Sequence, residues 1–134
     1  MPQPEPSEAG PHGLRRICAC TDFSKTARHA FGYALDAATR RPGCTLYLLH
    51  VIPEPEAQFW KTYIYELEDV DAKARRDVDA KLAADYLPRV PGGLDFHVEV
   101  RIGKASAAIL DFAREREVDL IVLGRHGHSV LGEL

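Results

Sequence analysis

Thr45-Leu46-Tyr47-Leu48-Leu49-His50-Val51-Ile52 is a nearly unbroken apolar run, closed by Pro53 and Pro55. A strand with one wet face alternates apolar and polar residues. A run without alternation is dry on both faces, the condition of a strand inside a parallel sheet covered by helices. The flanking segments agree with that reading. Upstream, Ile17-Cys18-Ala19-Cys20 is a second short apolar run. Between the two, Ala27, Ala30, Phe31, Ala34, Leu35 and Ala38 recur at helical spacing. Ser24 is placed to cap that helix, its hydroxyl accepting an unpaired N–H of the first turn, and Pro42-Gly43 ends it.

Downstream, residues 56–87 carry Trp60, Tyr63, Ile64, Leu67, Val70, Ala74, Val78, Leu82 and Tyr86 near helical period. The stretch is long for one globular helix, which predicts a bend or an irregular first part. Residues 88–93 hold a cluster of helix breakers. Phe96 to Ile102 then alternates as a strand does, Ala105, Ala108, Ile109, Phe112 and Ala113 form another helical stripe, and Asp119 to Leu123 is a last apolar strand. The order β-α-β-α-β-α-β predicts an α/β fold: an open parallel sheet in strand order 3-2-1-4 with helices on both faces.

The 134 residues suffice for one domain. Residues 1–13 contain four prolines and little to bury, so they are expected to form a mobile tail, with the domain at 14–134. They lack the apolar stretch of a signal peptide. Seventeen basic against twenty acidic residues leave a net charge of −3, and the basic doublets are scattered, which argues against a nucleic-acid partner. No apolar run approaches membrane-spanning length. The odd count of three cysteines suits a reducing cytoplasm better than a disulfide framework. Cys18 and Cys20 lie two apart on one strand face and read as buried structural thiols.

Ligands of open α/β sheets bind beyond the carboxyl ends of the strands, where strand order reverses. Here that places Thr21-Asp22-Phe23-Ser24, after the first strand, opposite Gly124-Arg125-His126-Gly127, after the fourth. Gly124 and Gly127 can take positive φ and let backbone N–H groups converge on an anion, or can simply turn the chain. Asp22 can accept from a ribose or base, or can close an Asx turn. His126 and His128 have no Cys or carboxylate at ligand spacing beside them and read as solvated loop residues, so no metal site is expected. His50 and His97 read as core or edge histidines. No Gly-rich Walker loop, G-x-G-x-x-G or G-x-S-x-G is present, and no nucleophile has a recognisable base, so an enzyme is not expected.

From Leu14 onward the chain resembles the universal stress protein family. The resemblance rests on Thr21-Asp22-Phe23-Ser24 followed by Ala30-Phe31-Gly32-Tyr33-Ala34, on Leu46 to Val51, and on Val100-Arg101-Ile102-Gly103 followed by Asp119 to Ser129. It implies a Rossmann-like, adenine nucleotide alpha hydrolase-like fold and a cytoplasmic, usually homodimeric protein. The role implied is regulatory or stress-protective, with ATP, accompanied by Mg2+, as ligand. Carried over position by position, it nominates Asp22 for the nucleoside and the Val51 backbone for the adenine edge. Gly124 and Gly127 fall to the phosphates, with Leu123, Arg125 and His126 as loop neighbours. Nucleotide-binding members continue from G-x-x-G through nine residues to G-[ST]. That glycine falls at position 137, beyond Leu134, as do the family's last helix and fifth strand. A fourth strand with an open edge, associating with another chain, is the expectation for these residues. The alternative is a member that binds no nucleotide and acts through protein contacts, with Trp60, Tyr63 and Tyr65 as candidate surface.

Overall fold

The computed structural model describes residues 13–53 and 70–124. Four strands, β1 (Arg16–Cys20), β2 (Thr45–Pro53), β3 (Asp95–Gly103) and β4 (Leu120–Leu123), form one sheet in the order β3-β2-β1-β4. Every pairing is parallel, with Cys18 opposite Tyr47 and Ile121, and Leu48 opposite Val98. Three helices connect them: α1 (Lys25–Thr39), α2 (Val70–Asp85) and α3 (Ala105–Glu115). The expected fold is therefore the observed one.

Handedness places the helices. The crossovers through α1 and α2 step in one direction along the sheet, and the crossover through α3 steps back past β1. Right-handed connections then put α1 and α2 on one face and α3 on the other. The two cores follow that division. Ile17, Ala19, Leu46, Leu48 and Ile52 pack against Phe31, Ala34 and Ala38 of α1 and Val78 and Leu82 of α2, with Tyr86 beside them. Cys18, Tyr47 and Leu49 pack against Phe112 of α3. Each fully buried large side chain contributes about 1.5–3 kcal/mol, and Phe31, Phe112, Leu46 and Leu49 are all at most 1% exposed.

Local chemistry sets the element ends. Ser24 caps α1 as expected, its Oγ accepting the Ala27 N–H at 3.1 Å. The chain leaves α3 through a Schellman turn: the Val118 N–H reaches the Ala113 carbonyl at 2.9 Å and Glu117 takes a left-handed φ of 54°. Asp119 then fastens the start of β4 to the start of β1. Its Oδ2 accepts the backbone N–H groups of Arg15 and Arg16 at 2.9 and 3.0 Å, and its own N–H donates to the Arg16 carbonyl.

The helix α2 is described from Val70, and the expected earlier part of that stretch, with Trp60, Tyr63 and Tyr65, lies outside the described residues. Its charged face is solvated, Lys73, Arg75, Arg76, Asp77 and Asp79 all being exposed. The outer strand β3 carries Asp95, His97, Glu99 and Arg101 on one face, a charged border of the kind that discourages further pairing. The bland reading of His97 holds, for its ring meets Asp95 at that border, Nε2 to Oδ1 at 2.8 Å.

Candidate functional site

The strand order reverses at β1, between β2 and β4, so the crevice predicted from sequence lies beyond Cys20. Cys20 stands opposite Leu49 on one side and Leu123 on the other. One step further, the Thr21 N–H donates to the Leu49 carbonyl at 2.9 Å, and there the first strand turns away while β2 runs on to Pro53. Backbone groups of a strand alternate sides. Val51 therefore presents its N–H and C=O on the same side as Leu49, toward the space β1 has left. Its half-buried side chain points into the α3 face.

The turn after β1 is heavily built. The Thr21 hydroxyl, buried, shares a hydrogen bond with the Tyr86 hydroxyl and accepts the Phe23 N–H at 2.8 Å. Asp22 is exposed, and its Oδ1 accepts the Ser24 N–H at 2.9 Å, so the Asx turn left open by the sequence is formed. Phe23 sits in a left-handed conformation, φ 68°, which is costly for an aromatic residue. Its surroundings hold it there: the Arg28 guanidinium donates to its carbonyl at 3.0 Å, and its ring lies 4.4 Å from that of His50 and 6.1 Å from that of Tyr86. The Lys81 ammonium stands 5.1 Å from the same ring. His50 in turn bonds the Thr21 carbonyl through Nδ1 at 2.8 Å. Burial pushes the Tyr86 phenol above its ordinary range.

Gly124 closes the other wall. A Cβ there would lie 2.6 Å from Ala27 Cα and 2.7 Å from both Ala27 N and Thr26 C, so the exit of β4 rests directly on the backbone of the first turn of α1. This corrects the sequence reading of that glycine. Positive φ among the described glycines occurs at Gly43, Gly93 and Gly103, and Gly124 is required by close approach instead. The consequence is that Gly124 itself lies against the N-terminal end of α1, where unpaired helix N–H groups are gathered.

On the α3 side of the same strand end, the reading of both cysteines as buried is correct for Cys18, whereas Cys20 is only half-buried. The Cys18 Sγ donates to the Ala19 carbonyl at 3.9 Å. The neighbouring Cys20 thiol, ahead of burial, pushes the Cys18 thiol above its ordinary range, while Cys18 draws the Cys20 thiol below its own.

Of the residues nominated from sequence, Asp22, Val51, Leu123 and Gly124 are brought to one end of the sheet. Arg125, His126 and Gly127 lie outside the described residues, as does His128. Sequence reasoning missed His50, Phe23 and Tyr86 as the scaffold of the β1 turn. His50 stands within the apolar run of β2 and read as a core or edge histidine, and only the placement of β2 against β1 shows that it reaches Thr21.

Comparison with known proteins agrees with this geometry. The description "universal stress protein family" attaches to the sequence profile that matches residues 13–134. Among solved structures, the hypothetical protein MJ0577, whose biochemical function was assigned from its structure, is 27% identical with a TM-score of 0.64, over 90% of this chain and 81% of that one. Universal stress protein UspA from Lactobacillus plantarum is 27% identical with a TM-score of 0.65, over 86% of this chain and 79% of its own. A universal stress family protein from Burkholderia pseudomallei, 23% identical with a TM-score of 0.60 over 93% of this chain and 89% of its own, shares the fold. No curated protein matches the sequence. With the profile spanning everything from Gly13 to Leu134, and the parallel β3-β2-β1-β4 sheet in place, the chain belongs to the universal stress protein family.

Proposed function

We propose that this family member binds an adenine nucleotide, ATP with Mg2+, in the crevice beyond β1, and acts in the cytoplasm as a regulatory or stress-protective module without turning over a substrate. The observation that carries the reading is the projection of Val51 past the end of β1. A strand whose N–H and C=O, among the described residues, face a position no strand occupies offers the donor and acceptor pair that the edge of an adenine base complements. Asp22 stands at the rim of the same space. An exposed carboxylate there is an acceptor of the kind ribose hydroxyls donate to. Gly124 lies against the N-terminus of α1, a position suited to phosphate, and by resemblance Arg125, His126 and Gly127 belong to the same phosphate loop. The hydroxyls nearest the crevice, Thr21 and Ser24, serve the turn and the helix cap, which fits binding better than nucleophilic catalysis.

Titration calorimetry with ATP and with GTP tests the reading. ATP is expected to bind and GTP to bind more weakly, because a purine with a carbonyl at position 6 reverses the donor that Val51 meets. Asp22→Ala is expected to weaken ATP by about 1–3 kcal/mol. Absence of any ATP binding favours the alternative, a member acting through protein contacts.

Self-association through β4 belongs to the same proposal. Among the described residues no strand pairs with its outer edge, and Leu120 and Leu123 are 37% and 59% exposed. Sedimentation velocity is expected to show a dimer, and a monomer at all concentrations would rule that contact out.

A further inference from the structure

Cys18 and Cys20 occupy successive positions on the same face of β1, both against the cluster that includes Phe112 of α3, with no role in the nucleotide reading. Their backbone spacing decides what such a pair can do. Strand residues two apart are separated by about 6.6 Å along the strand, with their Cβ atoms spaced alike. A disulfide needs Cβ atoms roughly 3.5–4.5 Å apart. The two cysteines therefore cannot close on each other while β1 stays paired with β2 and β4. A metal ion between them has no such difficulty. Metal–sulfur bonds near 2.3 Å span about 4.5 Å from sulfur to sulfur, a separation that two cysteines with Cβ atoms about 6.6 Å apart reach by side-chain rotation without moving the backbone.

We infer that Cys18 and Cys20 form a two-sulfur site for a soft monovalent cation, copper(I) in particular. Three features of the surroundings select that class. The neighbours that pack on this face, Tyr47, Leu49, Val51, Ile109, Phe112 and Val118, are aliphatic chains and aromatic rings. Among the described residues no group of three or more His, Cys, Asp or Glu side chains could hold a metal, so an ion that demands four ligands, such as zinc, is not satisfied here. Thiolate donors prefer copper(I), which is content with two ligands. Access is also built in. Cys18 is closed off at 1% exposure, while Cys20 is half-buried at the open end of the strand, so an ion enters past Cys20 and is then sheltered. On binding, two copper–sulfur bonds form and the thiol protons pass to solvent. The metal stays copper(I), and no electron is transferred.

The test is anaerobic titration of the reduced full chain with copper(I) in competition with bicinchoninate. One equivalent is expected to be withdrawn from the competitor. Cys18→Ala and Cys20→Ser are each expected to weaken binding by more than about 100-fold, as loss of one of two thiolate ligands requires. Cys44→Ser is expected to change nothing, because Cys44 is buried on the other face of the sheet with the α1 core. Far-ultraviolet circular dichroism of each variant separates loss of the site from loss of the fold, and Cys20→Ser, at the half-buried position, keeps the test available if Cys18→Ala unfolds. X-ray absorption of the loaded protein is expected to show two sulfur neighbours. Failure to compete with bicinchoninate, unchanged affinity in folded Cys20→Ser, or loss of binding in Cys44→Ser would each overturn the inference.

Discussion

The hydroxyls of Thr21 and Tyr86, 65 residues apart in the chain, share a hydrogen bond inside the α1–α2 core. Tyr86 is fully buried and Thr21 is 6% exposed, so neither hydroxyl has water as a ready substitute. The bond ties the segment after α2 to the turn that presents Asp22. Because Thr21 Oγ1 also accepts the Phe23 N–H, it fixes the left-handed residue next in line.

Removing the phenol oxygen therefore has a defined cost. Tyr86→Phe is expected to lower stability by about 1–2 kcal/mol, the cost of leaving a buried hydroxyl with one partner fewer. Thr21→Val is expected to cost more, since the Phe23 N–H loses its acceptor as well. The double variant should fall short of the sum of the two, as directly bonded residues do. Urea midpoints of the three variants measure this.

Gly124→Ala is expected to destabilise by about 1–3 kcal/mol through overpacking. The neighbours of the added Cβ would be helix backbone atoms of Thr26 and Ala27, which cannot rotate aside as a side chain can. If the crevice holds nucleotide, the same substitution lowers affinity by pushing the exit of β4 away from α1. Gly43→Ala, where nothing lies within 4 Å but φ is 82°, separates backbone strain from crowding.

Glu117→Gly is expected to stabilise the protein by about 1 kcal/mol, the steric cost of a non-glycine residue in the left-handed region. The ion pair it sacrifices, to Arg16 at 3.3 Å, is exposed at 81% on the glutamate side and contributes little. Thermal melts of Glu117→Gly and Glu117→Val should move in opposite directions.

Acid should weaken the β2–β3 border. The Thr45 hydroxyl, donating at 2.7 Å, and the His97 ring hold the Asp95 carboxyl below its ordinary value of 3.8. A folded-state pKa below the unfolded one means the stabilisation is complete above that ordinary value and is lost as pH falls through the lower folded value. Urea midpoints measured below pH 3.8 should therefore fall less steeply for Asp95→Asn than for the parent.

The sequence by itself determined the fold, because hydrophobic periodicity is local. The unbroken run from Thr45 to Ile52, the helical stripe from Ala27 to Ala38 and the alternation from Phe96 to Ile102 each report which faces are dry, and right-handed crossovers leave few ways to wind the sheet. Ser24 as a cap was legible for the same reason, its bond reaching only three residues ahead. What depended on strands far apart in the chain was decided by tertiary structure. His50 meets Thr21, and Val51 projects past β1, only because of the register of β2 against β1. Gly124 is glycine because the backbone of α1, some hundred residues earlier in the chain, lies against it. The cysteine pair divides between the two: spacing placed both thiols on one face of β1, and the packing of α3 over that face closed off Cys18 while leaving Cys20 half-buried.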